Sequence, residues 1–153
     1  MDEFSFQREI FLDCIDEARQ LMELHHNECE IQDADIALDL DVSSYNKLCT
    51  IGMLKIFTIR NVYGKLIGYA SFFLNEHLHN KGMVQASQDA IFILKEYRGH
   101  GGKFIDYCDQ ELKKDGAMLV RHFVKPHIDF GPILLRKGYQ HAETVFTKRL
   151  DKE

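Results

Sequence analysis

The segment Ile91-Phe92-Ile93-Leu94-Lys95-Glu96-Tyr97-Arg98-Gly99-His100-Gly101-Gly102-Lys103-Phe104 constrains the fold more than any other part of the chain. An apolar run of strand type enters a loop with three glycines in four residues, and that loop opens a helix. A bare strand-to-helix turn needs fewer glycines. Glycine lets backbone N–H groups approach a ligand closely, and a helix N-terminus offers unpaired donors with partial positive charge. Arg98 and Lys103 add full charges, so the segment suits a polyphosphate. The plain turn remains the alternative reading. The loop does not match the GxGxxG dinucleotide fingerprint, and no GK[ST] marks a phosphate-binding P-loop.

Around this segment the pattern alternates between helical and extended periods. Phe11, Cys14, Ile15, Ala18, Leu21 and Met22 recur at three- and four-residue steps, which predicts a helix over 6–28 with Ser5 as N-cap. A short helix is expected after Ser43. Residues 54–62, 66–75 and 83–94 are rich in strand formers and predict an antiparallel meander. Gly64 supplies a positive φ in the first hairpin turn. Phe104, Ile105, Cys108 and Leu112 make the apolar face of a helix over 101–114. Residues 117–124 read as a buried strand, parallel to the third strand through a right-handed crossover. A short helix capped by Asp129 and running through Leu135, and closing strands within Tyr139 to Leu150, complete the order.

The chain's 153 residues suit one domain spanning 1–153, and 45% hydrophobic with 28% charged residues is globular composition. A net charge of −5 argues against a nucleic-acid surface, which needs a basic stripe. No stretch reaches the roughly 18 apolar residues of a membrane span. Cys14, Cys29, Cys49 and Cys108 form no CxxC pair, and the acidic N-terminus lacks a signal pattern, so a reduced, cytoplasmic chain is expected. Cys14 and Cys108 fall on apolar helix faces, as small core residues do. His25, His26, Glu28 and Glu30, and the run His77-Leu78-His79, lack the spacing of a metal-ligand set, and no metal is expected.

Arg98-Gly99-His100-Gly101 fits the start of the Q/R-x-x-G-x-G/A motif between strand and helix in GNAT N-acetyltransferases. Gly64-Lys65-Leu66-Ile67-Gly68-Tyr69 resembles the family's turn into its third strand, and Arg136-Lys137-Gly138-Tyr139 resembles its K-x-G-F ending. The element order is similar over residues 5–150, and the resemblance extends to small phage or bacterial members. It implies an α/β fold with a mixed, mostly antiparallel central sheet flanked by helices, whose central parallel strands splay apart. It also implies acetyl-CoA as acyl donor in that gap. Its pantetheine would pair with the backbone of Phe92, Ile93 and Leu94. Its pyrophosphate would rest on amides from Gly99 through His100, Gly101, Gly102 and Lys103 to Phe104, beside Arg98. The implied activity is acetyl transfer to an amine of a small molecule or protein; homodimers occur in the family. Two departures point to the alternative, a GNAT-like module binding acyl-CoA or a protein partner without turnover. Lys103 stands where Gly or Ala is expected, which implies a loop two residues shorter. Leu134 stands where many members carry a tyrosine general acid.

The family chemistry needs a base for the attacking amine. Asp89 is the first candidate, as the acid in an otherwise uncharged strand, with solvent exposure or a structural pair as the plainer reading. Glu76 and His77 come next, at the end of the preceding strand. Tyr139 and His127 are the candidate acids, although a residue such as Tyr139 is more often a core aromatic. Acidic residues over 33–41 fit a cationic acceptor or a solvated loop.

Overall fold

The computed structural model describes residues 4–152. The chain divides into two compact units, one ending at Phe123 and one beginning at Val124, and each is described by itself. The first contains β1 (Phe4–Arg8), α1 (Phe11–Cys29), α2 (Val42–Thr50), β2 (Leu54–Asn61), β3 (Leu66–His77), β4 (Asn80–Ile93), a 3-10 helix (Lys95–His100), α3 (Gly101–Lys114) and β5 (Leu119–Arg121). The second contains α4 (Gly131–Arg136).

The five strands form one sheet in the order β1-β2-β3-β4-β5. The first three pairings are antiparallel, and β4 with β5 is parallel. This is the mixed, mostly antiparallel sheet the sequence predicts. The β4–β5 ladder is short: Gln85, Ala86 and Ser87 pair with Leu119, Val120 and Arg121. Beyond it β4 runs on to Ile93 with β3 alone beside it. There the Gln88 side chain takes over from the ladder, accepting from His122 Nδ1 at 2.9 Å and from the Phe123 amide at 3.4 Å.

Alternation along the strands divides the core between two faces. Phe57, Ile59, Phe72 and Ile93 pack with Phe104, Cys108 and Leu112 of α3. Leu66, Tyr69 and Phe92 pack with Ala18 and Leu21 of α1. Phe57, Phe72 and Phe104 are fully buried, each contributing about 1.5–3 kcal/mol of transfer free energy.

Three expectations are corrected. Residues 6–28 are not one helix, and Ser5 lies in β1 rather than at a cap. Phe4 and Phe6 alternate with Ser5 and Gln7, and Phe6 stacks on Phe104 at 5.7 Å, so period two governs until the helical spacing starts at Phe11. The strand expected over 117–124 is only Leu119–Arg121, because β4 and β5 part there. Within Tyr139 to Leu150 no strand forms. Val145, Phe146 and Leu150 are exposed, so extended pairing there gains no burial. Asp129, expected to cap the short helix, lies just before α4 (Gly131–Arg136), where its Oδ1 accepts from the Gly131 amide at 2.8 Å.

Candidate active site

A pocket of about 310 Å³ opens between the α1–α2 side and the sheet. Its polar end is made by a register shift. Ser71 pairs with Ala90 and Phe72 with Gln88, which leaves Asp89 as the extra residue of a β-bulge. Asp89 and its neighbour Ala90 both line the pocket. Asp89 Oδ2 accepts from the Ser71 hydroxyl at 2.7 Å and from the Tyr45 hydroxyl at 2.5 Å. Asp89 Oδ1 takes no hydrogen bond among the described residues.

Local sequence places Tyr45. Asp41 caps α2, its Oδ1 accepting from the Ser44 amide at 3.0 Å and its Oδ2 from the Ser44 hydroxyl at 2.7 Å. These bonds hold the Asp41 carboxyl below its usual range. The cap sets Tyr45 in the first turn, where its ring stacks on Phe11 with centroids 5.2 Å apart. Burial, and next the bond to the Asp89 carboxylate, raise the Tyr45 phenol well above its ordinary value. It therefore stays a protonated donor.

A second polar pair lies on the α1 side. His25 Nδ1 and the Tyr69 hydroxyl share a hydrogen bond of 2.7 Å, and the His25 ring stacks on Phe92 at 5.0 Å. Burial also raises the Tyr69 phenol. His26 Nε2 donates to the Ile36 carbonyl at 2.8 Å, tying the end of α1 to the acidic connection before α2. Leu38 and Leu40 of that connection line the pocket.

At the glycine loop, the 3-10 helix runs directly into α3. A Cβ built on Gly99 would meet nothing within 4 Å, and one on Gly101 would meet only Ile93 Cδ1 at 3.7 Å. Side chains therefore do not plug the loop at these glycines. The His100 ring packs on Phe4 with centroids 4.0 Å apart, Lys103 is exposed, and Phe104 is core. Gly102 is half-buried in the first turn of α3. Arg98 is engaged within the protein: Nε donates to the Ile93 carbonyl at 3.0 Å, and Nη1 and Nη2 reach Glu28 at 2.6 and 2.7 Å. The Leu94 amide donates to the Ile67 carbonyl at 2.9 Å, so it faces β3. The Phe92 carbonyl also faces β3, at Gly68. Of the three backbone positions expected along the donor, Ile93 is the one turned away from β3.

Of the other candidates, Glu76 and His77 lie outside the lining of this pocket. Glu76 is exposed near the end of β3, paired in register with Val84, and is not part of the lining. Its neighbour His77 accepts from the His79 amide at 3.1 Å, within the hairpin. Tyr139 belongs to the second unit, where its amide donates to the Leu134 carbonyl at 3.1 Å. Sequence reasoning missed Tyr45, Ser71 and Tyr69. The Asp41–Ser44 cap signal marks where Tyr45 sits on a helix, but no local pattern marks its partner. Among the described residues, no group of three or more His, Cys, Asp or Glu is placed to hold a metal ion. No helix among them is long and apolar enough to cross a membrane.

This five-stranded, mostly antiparallel sheet with one parallel pair, flanked by helices, is a GNAT-like acetyltransferase fold. The structure is similar to that of aminoglycoside acetyltransferase meta-AAC0020 from an uncultured soil metagenomic sample, with TM-score 0.70 at 17% identity, covering 97% of this chain and 95% of that one. It is also similar to glucosamine-6-phosphate N-acetyltransferase from Arabidopsis thaliana, with TM-score 0.72 at 13% identity, covering 97% and 99%. A predicted acetyltransferase from Clostridium acetobutylicum, solved with acetyl-CoA, superposes with TM-score 0.65 at 14% identity, covering 96% of each chain. No family model and no curated protein sequence matches the chain.

Proposed function

We propose that this chain is an acetyl-CoA-dependent N-acetyltransferase acting by direct attack of an amine, with Asp89 as general base. The observation that carries the reading is the bulge. It turns a carboxylate into a pocket, fixes one oxygen through Tyr45 and Ser71, and leaves Oδ1 for an amine proton. A base must lie within hydrogen-bond reach of the proton it takes, in a rotamer held by its neighbours.

The donor side fits a diphosphate. Gly99 leaves its surroundings open, the start of α3 supplies backbone donors and partial positive charge, and Arg98 and Lys103 add cations. Arg98 would exchange Glu28 for phosphate, or bridge both. With the Ile93 carbonyl held by Arg98, the Ile93 amide is the backbone group that would pair with the pantetheine arm. In the reaction, Asp89 Oδ1 takes a proton from the amine. The neutral nitrogen then attacks the thioester carbonyl, the C–N bond forms, the nitrogen gives up its second proton to solvent, the C–S bond breaks, and CoA leaves as thiolate. Solvent protonates the thiolate, since Leu134 offers no acidic hydrogen.

The test is thermal stabilisation by CoA and acetyl-CoA, followed by thiol release with a panel of primary amines. The reading expects stabilisation by both ligands and amine-dependent thiol release. Stabilisation with no release from any amine supports the alternative, a module that binds acyl-CoA without turnover. No stabilisation by either ligand removes both.

A further inference from the structure

We infer that the acceptor is a small primary amine with an apolar body, its ammonium seated on Asp89. This rests on the reading of Asp89 as base and narrows it to a substrate class. At about 310 Å³ the pocket lies at the lower end of the roughly 300–1,000 Å³ of ligand sites, so it takes a small molecule. Its walls are dominated by apolar and aromatic side chains, among them Phe11, Ile15, Met22, Leu40, Leu66 and Tyr69. Asp89 and Glu30 are the acidic groups in the lining, and no Lys or Arg is present in it.

This composition sorts amines by the rest of their structure. An amino-sugar phosphate would bring a phosphate to a lining with no lysine or arginine, whose two histidines, His25 and His26, already bond Tyr69 and the Ile36 carbonyl, and desolvating that anion is costly. A polyhydroxylated aminocyclitol would set many hydroxyls against Phe11, Ile15 and Leu66, which cannot pair with them. A polyamine would need carboxylates along the pocket, whereas Asp89 and Glu30 are the only two acids among the described residues of a lining that is mostly apolar. An arylalkylamine or alkylamine satisfies both ends: its ammonium meets Asp89, and its body covers the apolar wall. The substrate classes named for the aminoglycoside and glucosamine-6-phosphate enzymes of the same fold are thus disfavoured by the residues in this pocket.

The experiment uses the full chain with acetyl-CoA and measures thiol release from phenethylamine, hexylamine, spermidine, an aminoglycoside, an amino-sugar phosphate and a lysine peptide. The expected result is kcat/KM at least about tenfold higher for the two apolar amines, the scale on which a hydrophobic pocket discriminates. Preference for any polar acceptor would overturn the substrate class while leaving acetyl transfer in place. If no amine is turned over, the function reading fails, and calorimetry in the absence of acetyl-CoA decides the pocket by itself. Phenethylamine should bind, phenethyl alcohol should bind at least about tenfold more weakly, and Leu40→Arg should weaken the amine. Equal binding of amine and alcohol, or indifference to Leu40→Arg, would overturn the inference.

Discussion

The Tyr45 hydroxyl donates to Asp89 Oδ2 at 2.5 Å across 44 residues of chain, joining α2 to the bulge of β4. The contact makes the carboxylate a fixed group, with the Ser71 hydroxyl as second donor on the same oxygen. Asp89→Asn keeps the shape and removes the proposed base. The expected loss in kcat is about a hundredfold to ten-thousandfold, with CoA binding unchanged. Tyr45→Phe leaves the base but loosens it, and a smaller loss in kcat is expected. Steady-state kinetics and CoA calorimetry check both.

Arg98 is shared between the Ile93 carbonyl and Glu28. The pair raises the Arg98 guanidinium and lowers the Glu28 carboxyl, the hydrogen bond between them being the leading cause for each. Both side chains are about a third exposed, so the pair is worth no more than about 1 kcal/mol. Arg98→Ala should weaken CoA, whereas Glu28→Gln should release Arg98 to phosphate and strengthen CoA by up to about fivefold. Titration calorimetry with CoA reads both directions.

Gly68 is required by a close approach rather than by a turn. A Cβ there would lie 2.7 Å from Ile59 Cγ2, 2.7 Å from the Phe92 carbonyl oxygen and 3.0 Å from Ile93 Cγ1. A backbone oxygen cannot move aside as a side-chain tip does. Gly68→Ala should cost about 1–3 kcal/mol in urea unfolding. Gly64→Ala should cost less in contacts, because nothing lies within 4 Å, and its penalty comes from the φ of 77°.

His122 is half-buried beside Phe72, with ring centroids 5.6 Å apart, and its desolvation lowers the imidazole to about 4 from 6.5. A group that folds neutral with a depressed value favours unfolding once protons bind the unfolded chain. Its contribution is therefore complete above pH 6.5 and is lost progressively as pH falls from 6.5 towards 4. The slope approaches about 1.4 kcal/mol per pH unit in that window. His122→Gln should flatten that part of the stability profile, measured by denaturant unfolding at a series of pH values.

Much of the frame was legible in the sequence because its signals are local. The apolar phase of α3, the strand formers of β2 to β4 and the glycine of the first hairpin each follow from neighbours a few residues apart. The register of β1 was hidden because Phe6 also satisfies a helical spacing with the residues after it, and only the neighbouring β2 and α3 decide the matter. Asp89 stood out as a charge in an uncharged strand. Its partners did not: Ser71 and Tyr45 meet it through sheet register and helix docking, and a one-residue bulge leaves no mark in composition. The fate of Tyr139 to Leu150 was misread because alternating residues look like a strand whether or not anything covers them.

The most direct measurement is mass spectrometry of the product after incubation with acetyl-CoA and phenethylamine, for wild type and Asp89→Asn side by side. The account predicts N-acetylphenethylamine with wild type and its near-complete loss in the variant. Equal product from both proteins would contradict Asp89 as the base. CoA binding by wild type with no acetylated product from any amine would contradict transfer itself.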